Sequence, residues 1–426
     1  MSFDAQPICP QRVAVIGGGI SGLAAAYLLS PHHSVTLFEA APNLGGHART
    51  VLAGRNGDQP VDTGFIVFNY ANYPHLTRMF MDLDVPVKRS DMSFGATIDN
   101  GHVEYALRDL NGLIGQRRNL VRPGFLRMVR DIIKFNAKAE AAAVNDDMTI
   151  GDLVTDLNLG QWFQRYYLMP ICGAIWSTPP AEIRHFPART LIQFFRNHAL
   201  LSTSGQHQWW TVDGGSIEYV RRLEQHLRGQ GVVIRKSTPV GSVTRDGLES
   251  TIHTHNHPAE AFDQVIFACH SDQALRLLAQ PTAKETQALS AIQYQDNRVV
   301  LHRDHQLMPR RKACWSSWVY NASTAHQAPS MGVTYWMNRL QGIPENDPLF
   351  VTLNPAQDIA AEQTYDDTVF RHPVFDRAAI RAQSALRDMQ GENNTWFAGA
   401  YTRHGFHEDG FASAVRVVRQ MDRQFA

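Results

Sequence analysis

The sequence predicts an α/β fold: a Rossmann-like nucleotide-binding domain interleaved with a second domain of mixed sheet and helices. Three observations point there. Val13-Ala14-Val15-Ile16 is a short apolar run of the kind that forms a strand covered on both faces, and it leads into Gly17-x-Gly19-x-x-Gly22 and a helical stretch from Leu23 to Leu29. Val35-Thr36-Leu37-Phe38 then reads as a second parallel strand ending at Glu39, which closes a βαβ unit of about 30 residues. Near the other end, Trp396-Phe397-Ala398-Gly399 is a buried-looking strand running toward a helix over Gly410–Arg419. A chain of 426 residues with no internal repeat, low-complexity linker or heptad run is long for one core, so the domains are expected to share it discontinuously. Residues 1–70, about 215–285 and 390–426 are assigned to the nucleotide domain. About 71–214 and 286–389 are assigned to the second domain, with a helical part near 113–200.

The elements between these ends follow from local pattern. Asn72 to Leu83 reads as a short helix, and Phe94–Ile98 with His102–Leu107 as a hairpin turning at Asp99-Asn100-Gly101. Pro123 to Ala143 reads as one helix, with Pro123 near its start and Phe125, Met128, Val129, Ile132 and Ile133 as its apolar stripe. Its other face is basic: from Arg117 to Lys138 come Arg117, Arg118, Arg122, Arg127, Arg130, Lys134 and Lys138 against a single acid, Asp131. Helical segments are expected to about His198. Strands follow at Val232–Ile234, Val265–Ala268, Val299–His302, Gly332–Met337 and Phe350–Leu353.

Basic and acidic residues balance at 40 each, so no global field draws the chain to nucleic acid, and an electrostatic partner must be met by a local patch. The Arg117–Lys138 segment is that patch, and peripheral contact with a membrane surface is one expectation for it; a solvated face on a core-packed helix is the other. Cys9, Cys172, Cys269 and Cys314 lie far apart with no Cys-x-x-Cys pair, which argues against a disulfide framework or a structural metal. The opening Met1–Arg12 carries Asp4 and two prolines and lacks a basic n-region. The uncharged stretch from Val13 to Pro31 is interrupted early by Gly17 to Gly19, so neither a signal nor a span is expected there. A cytoplasmic location is expected, with the inner membrane surface as the site of any peripheral contact.

The glycine motif lies where a dinucleotide needs it, between strand and helix. Gly17 allows the tight turn, Gly19 lets a pyrophosphate approach the backbone, and Gly22 lets helix and strand pack closely. The helix N-terminus, with Ile20 and Ser21, offers free N–H groups and a positive dipole end to the phosphates. Glu39, about 20 residues on, is placed to accept from ribose hydroxyls, with Ala40 beside it, and an acid there argues against a 2′-phosphate. No second Gly-x-Gly-x-x-Gly follows a strand, so no separate NAD(P)H domain is expected; Gly214-Gly215 is followed by Ser216 and lacks the pattern.

Asn43-Leu44-Gly45-Gly46-His47-Ala48-Arg49-Thr50 resembles the Leu-Gly-Gly-Arg-x-x-Thr segment of the flavin amine oxidase and phytoene desaturase superfamily, with His47 in place of the first arginine and Arg49 two residues later. Val61-Asp62-Thr63-Gly64-Phe65 resembles that superfamily's Asp-x-Gly segment beside the flavin. Trp396–Ala400 followed by Gly405–Ala414 resembles its second flavin-binding segment, a strand and helix N-terminus aimed at the flavin edge where negative charge grows on reduction. The resemblance implies FAD, a nucleotide domain of the glutathione reductase type, and contacts from Gly45, Gly46, Arg49, Thr63, Gly64, Phe65, Val240, Gly399, Ala400, Asp409, Gly410 and Phe411. Ala400 stands where an acid usually bonds the ribityl chain, so that contact must come from elsewhere.

A closer resemblance rests on Asp62–Asn69, Ser90–Phe94, Phe267–Asp272, Val333–Asn338 and Gly405–Gly410. These are similar to bacterial flavoproteins associated with lipid methyltransferases of the cyclopropane-fatty-acid-synthase type, a family that includes a desaturase of methylated fatty acyl chains. It implies a lipid or fatty acyl substrate, desaturated or isomerised, and a functional link to such a methyltransferase. Amine oxidases of the superfamily keep a lysine near the flavin on a central strand, and Asn297–His302, the matching stretch, has none. An amine oxidase and a flavin-binding protein without turnover are the alternatives. His404 and Glu408 are the acid–base candidates, with His407 beside them, although His407 and Glu408 also suit a helix cap. Trp209, Trp210, Trp315, Trp318, Tyr335 and Trp336 are candidates for an apolar tunnel or, more often, plain core.

Overall fold

The computed structural model describes residues 9–143, 145, 147–176, 183–197, 201, 207–322 and 331–425. The opening segment through residue 8, and His198 at the expected end of the helical region, lie outside the described residues.

Arg12–Ile16 and Ser34–Phe38 pair in parallel, joined through the helix Ile20–Leu29, as the spacing of apolar runs around the glycines requires. They form the centre of a five-stranded parallel sheet in the order Val233–Arg235, Ser34–Phe38, Arg12–Ile16, Gln264–Phe267, Thr395–Phe397. A three-stranded antiparallel meander, Val240–Arg245, Ser250–Thr254 and Glu260–Phe262, connects the first and fourth of these positions. The helix after the glycine loop is buried on nearly all sides because the C-terminal helix His407–Phe425 packs along it. Small residues permit the approach: a Cβ on Gly22 would fall within the carbonyl oxygen of Gly17, so only glycine fits.

The second domain is built on a seven-stranded sheet in the order Thr364–Pro373, Tyr294–His302, Phe350–Leu353, Met331–Trp336, Trp318–Ala322, Phe94–Ile98, Val103–Ala106. Its pairs are antiparallel except Trp318–Ala322 with Phe94–Ile98. The hairpin turns as expected, with Asp99, Asn100 and Gly101 all at positive φ. Helices cover this sheet: Phe125, Met128, Phe135 and Ala139 of Pro123–Ala142 share a core with Phe163, Leu191, Val299 and Val351.

The inward face of Pro123–Ala142 differs from the expected stripe. Ile133 is 62% exposed, whereas Asp131 is buried and accepts from the Gly160 N–H at 2.9 Å. Among the strands that the local pattern does not predict are the ten-residue edge strand Thr364–Pro373 and the short strands Val67–Phe68 and Val87–Ser90 that flank Trp209–Val212. The C-terminal helix begins at His407, three residues before the expected start.

Candidate active site

Two cavities meet inside the molecule. The larger, about 540 Å³, is a cradle at the C-terminal ends of the parallel strands, where open α/β sheets bind ligands. Gly17, Gly19, Ile20, Ser21, Glu39 and Ala40 line it from the first βαβ unit. Gly45 and Gly46 enter from the following segment, Val240 from the meander, and Gly399 and Ala400 from the last strand.

The residues fit a dinucleotide. A Cβ built on Gly19 would meet nothing nearer than Gly46 Cα at 4.0 Å, so the backbone there faces open space of the kind a pyrophosphate fills. The Glu39 carboxylate accepts from the Gly18 N–H at 2.6 Å and the Ala41 N–H at 2.7 Å, which fixes it at the cavity wall with lone pairs left for ribose hydroxyls. Tyr401 lines the cradle beside Ala400, where the usual acid is missing, and its hydroxyl is buried with no hydrogen-bond partner among the described residues.

The smaller cavity, about 300 Å³, opens off the cradle and shares His47, Phe370, His372, Gly405, Phe406 and His407 with it. Thr63, Gly64 and Phe65 lie on this side, not in the cradle. The rest of its wall is apolar or aromatic: Ile66, Val67, Tyr73, Met92, Phe94, Ile171, Trp209, Val299, Trp318, Tyr335, Val351 and Leu353. Val299 is the cavity-facing residue of the strand in which a lysine was sought. No Asp, Glu, Lys or Arg lines this cavity among the described residues.

The three histidines at the junction are neutral at pH 7. Burial pushes His47 down to about 4, and His372 and His407 to about 3, with mutual repulsion adding to the last two. His47 packs against Phe370 at 4.8 Å and His372 at 5.5 Å between ring centroids. A chain of amides fixes the His372 tautomer. The Arg298 N–H donates to Asn354 Oδ1, Asn354 Nδ2 donates to Asn297 Oδ1, and Asn297 Nδ2 donates to His372 Nδ1 at 2.9 Å. The neutral ring therefore carries its proton on Nε2. His407 is held by the Tyr219 hydroxyl, 2.7 Å from its Nε2, and by Phe65 stacked at 4.0 Å.

Several sequence assignments need correction. Neither His404 nor Glu408 lines either cavity. The Glu408 carboxylate accepts from the N–H groups of His75 and Leu76 at 3.0 Å, so it caps the helix Pro74–Asp82, and burial pushes it up to about 7. Asp409 accepts from the Phe406 N–H at 3.1 Å and caps its own helix, and Phe411 is buried against His75. Gly410 is a packing position, since a Cβ there would press on Ile20 and Ser21. Arg49 pairs with Asp366 at 2.6 Å and donates to Thr63 at 3.1 Å, tying its segment to the edge strand, not to the cradle. Of the six aromatics, Trp209, Trp318 and Tyr335 line the cavity, while Trp315 and Trp336 pack with Phe350 in a separate core cluster and Trp210 stacks edge-on with Tyr70.

Residues 20–303 match the family model described as flavin containing amine oxidoreductase. The chain belongs to that family. It has the fold of the FAD-dependent oxidoreductases, and the cradle's glycines and Glu39 fit that cofactor. Polyamine oxidase 5 of Oryza sativa subsp. japonica is 30% identical over 152 residues, 35% of this chain and 29% of that protein. The chain thus aligns with less than a third of that relative's length. A putative protoporphyrinogen oxidase from Exiguobacterium sp. 255-15 superposes with a TM-score of 0.72 at 16% identity, covering 98% of this chain and 100% of that one. The CLA-producing fatty acid isomerase from P. acnes superposes with a TM-score of 0.68 at 15% identity, covering 96% and 98%. These two likenesses show the fold alone.

Proposed function

We propose that this flavin amine oxidoreductase family member acts on a neutral acyl chain, desaturating or isomerising a methyl-branched or unsaturated fatty acyl group, free or carried on a phospholipid. The observation that carries this reading is the uncharged wall of the smaller cavity, with its histidines held neutral. A hydrocarbon chain gains about 25 cal/mol per Å² of apolar surface buried there. An ammonium or carboxylate entering the same space loses its hydration with no counter-charge to replace it. A fatty acid isomerase shares the architecture, which is consistent with an acyl chain fitting it.

Bound FAD supplies a two-electron acceptor for a hydride leaving an allylic carbon. The apolar wall holds the reacting carbon beside the cradle, and Trp318 and Tyr335, in edge contact at 5.3 Å, are part of it. His372 presents an Nε2–H donor. His407 is the proton acceptor in this proposal: burial makes it a weak base at rest, and the Tyr219 bond and the Phe65 stack hold its ring in one place on the shared wall. A methyl branch would be installed beforehand by a lipid methyltransferase. The amine reading draws support from the same Trp318 and Tyr335 faces, which attract a cation. The two readings separate in cells: lipids from cells carrying the methyltransferase, with active or inactive flavoprotein, are compared by mass spectrometry. A change in double-bond number or position supports the acyl reading, and identical lipids count against it.

A further inference from the structure

We infer that the surface formed by Leu110–Lys138 is a docking face for an anionic bilayer. Apolar and basic side chains are exposed together there. Leu110 is 78% exposed and Val121 80%, and Ile114, Leu120, Leu126 and Ile133 are also among the exposed large hydrophobics. On the twenty-residue helix Pro123–Ala142, Leu126 and Ile133 are seven residues apart with Arg130 between them, so all three share the outward ridge. Arg127 and Lys134, again seven apart, flank that ridge, and Lys138 continues it. The short helices Leu110–Leu113 and Arg117–Val121 precede it in the chain and bring Leu110, Arg117, Leu120 and Val121 to the surface.

Most of the charge of this face is uncompensated. Asp131, the single acid of the run, is buried, accepts from the Gly160 N–H and pairs with Arg130 at 3.1 Å. Asp109 is paired with Arg108 at 2.9 Å and Glu140 with Arg196 at 3.2 Å. Arg118 and Arg122 each donate to the His102 carbonyl at 2.7 Å and so partly serve the fold. Arg117, Arg127, Lys134 and Lys138 form no ion pair among the described residues. Exposed leucine, isoleucine and valine interspersed with unpaired cations suit the boundary between acyl chains and anionic headgroups. A protein partner would have to be both acidic and apolar over the same area; a bilayer with anionic lipid supplies both at once. No helix among the described residues is long and apolar enough to cross a membrane, so the contact is peripheral.

The inference does not depend on which substrate the cavity takes. The test is flotation of the FAD-loaded protein with vesicles of phosphatidylcholine alone or mixed with phosphatidylglycerol, at low and high salt. The native chain should float with the anionic vesicles at low salt, and float less as salt rises. Arg127→Glu, Lys134→Glu and Lys138→Glu together should weaken that partition by about a hundredfold, at about 1 kcal/mol per basic residue. Val121→Ser with Leu126→Ser should weaken it while leaving bound flavin and thermal midpoint unchanged, since both side chains are solvent-facing. Flotation indifferent to phosphatidylglycerol, or to both variant sets, overturns the proposal. So does a dimer in solution that the Val121→Ser and Leu126→Ser change dissociates while the vesicles bind neither form.

Discussion

Gly19 and Gly22 lie three residues apart and carry opposite loads. A side chain on Gly19 enters the cradle, whereas one on Gly22 runs into the Gly17 carbonyl in the turn before the helix. Gly19→Val is expected to fold, with an unfolding midpoint near native, and to emerge from purification without flavin absorbance. Gly22→Ala is expected to lose folded protein itself, because a backbone carbonyl must move. Absorbance spectra together with circular dichroism separate the two. This division was legible from sequence, since it depends on residues within one βαβ unit. The histidine group was not: His47, His270, His372 and His407 come from four separate segments, two of them loops, and nothing local marks His372, on the edge strand Thr364–Pro373, as a neighbour of His47. At the same scale, His407→Asn is expected to slow substrate-dependent flavin reduction by about 10²–10⁴-fold while FAD binding persists. Rapid-mixing kinetics measures it, and a change of less than a few-fold would remove His407 from the proton transfer.

The helix Pro74–Asp82 owes its N-terminal anchoring to Glu408, three hundred residues away in sequence. Glu408→Ala leaves two buried N–H groups without their acceptor, and removing such a partner costs about 1–3 kcal/mol. Denaturant titration should show that loss, with flavin reduction by substrate staying within a few-fold of native. A large kinetic defect at native stability would return Glu408 to the chemistry. Elements with a strong local period, such as the first βαβ unit and the Asp99-Asn100-Gly101 hairpin, were readable. The edge strand Thr364–Pro373 was not, because partial exposure along most of its length gives it neither alternation nor a continuous apolar run. Asp131 misled in another way: a lone acid in a basic run suggests a solvated face, yet its turn of the helix points inward.

Across the molecule, buried titratable groups set how stability responds to pH. Burial lowers His47, His270 and His302 to about 4 and His372 and His407 to about 3, so the unfolded chain takes up protons below about 6.5 that the folded chain refuses. Their contribution is present above that pH and is lost as pH falls toward the folded values. Asp62, raised to about 6, and Glu408, raised to about 7, act in the opposite sense: what they contribute at acid pH is lost as pH rises through those values. Five histidines outweigh two carboxylates, so urea midpoints should fall steadily from pH 6.5 to 4.5. A flat or rising profile over that window would mean that the histidine group is hydrated or charged.

The cofactor and the fold could be inferred from two ends of the chain, whereas substrate chemistry depends on a wall assembled from the whole of it. That wall is tested most directly by mixing the FAD-loaded protein anaerobically with methyl-branched or unsaturated acyl lipids and, separately, with primary and secondary amines, following flavin absorbance and the double bonds of the recovered lipid. Reduction of the flavin or relocation of a double bond by the acyl lipids, with amines inert, is the predicted result. Rapid reduction by an amine with every acyl lipid returned unchanged would contradict the account.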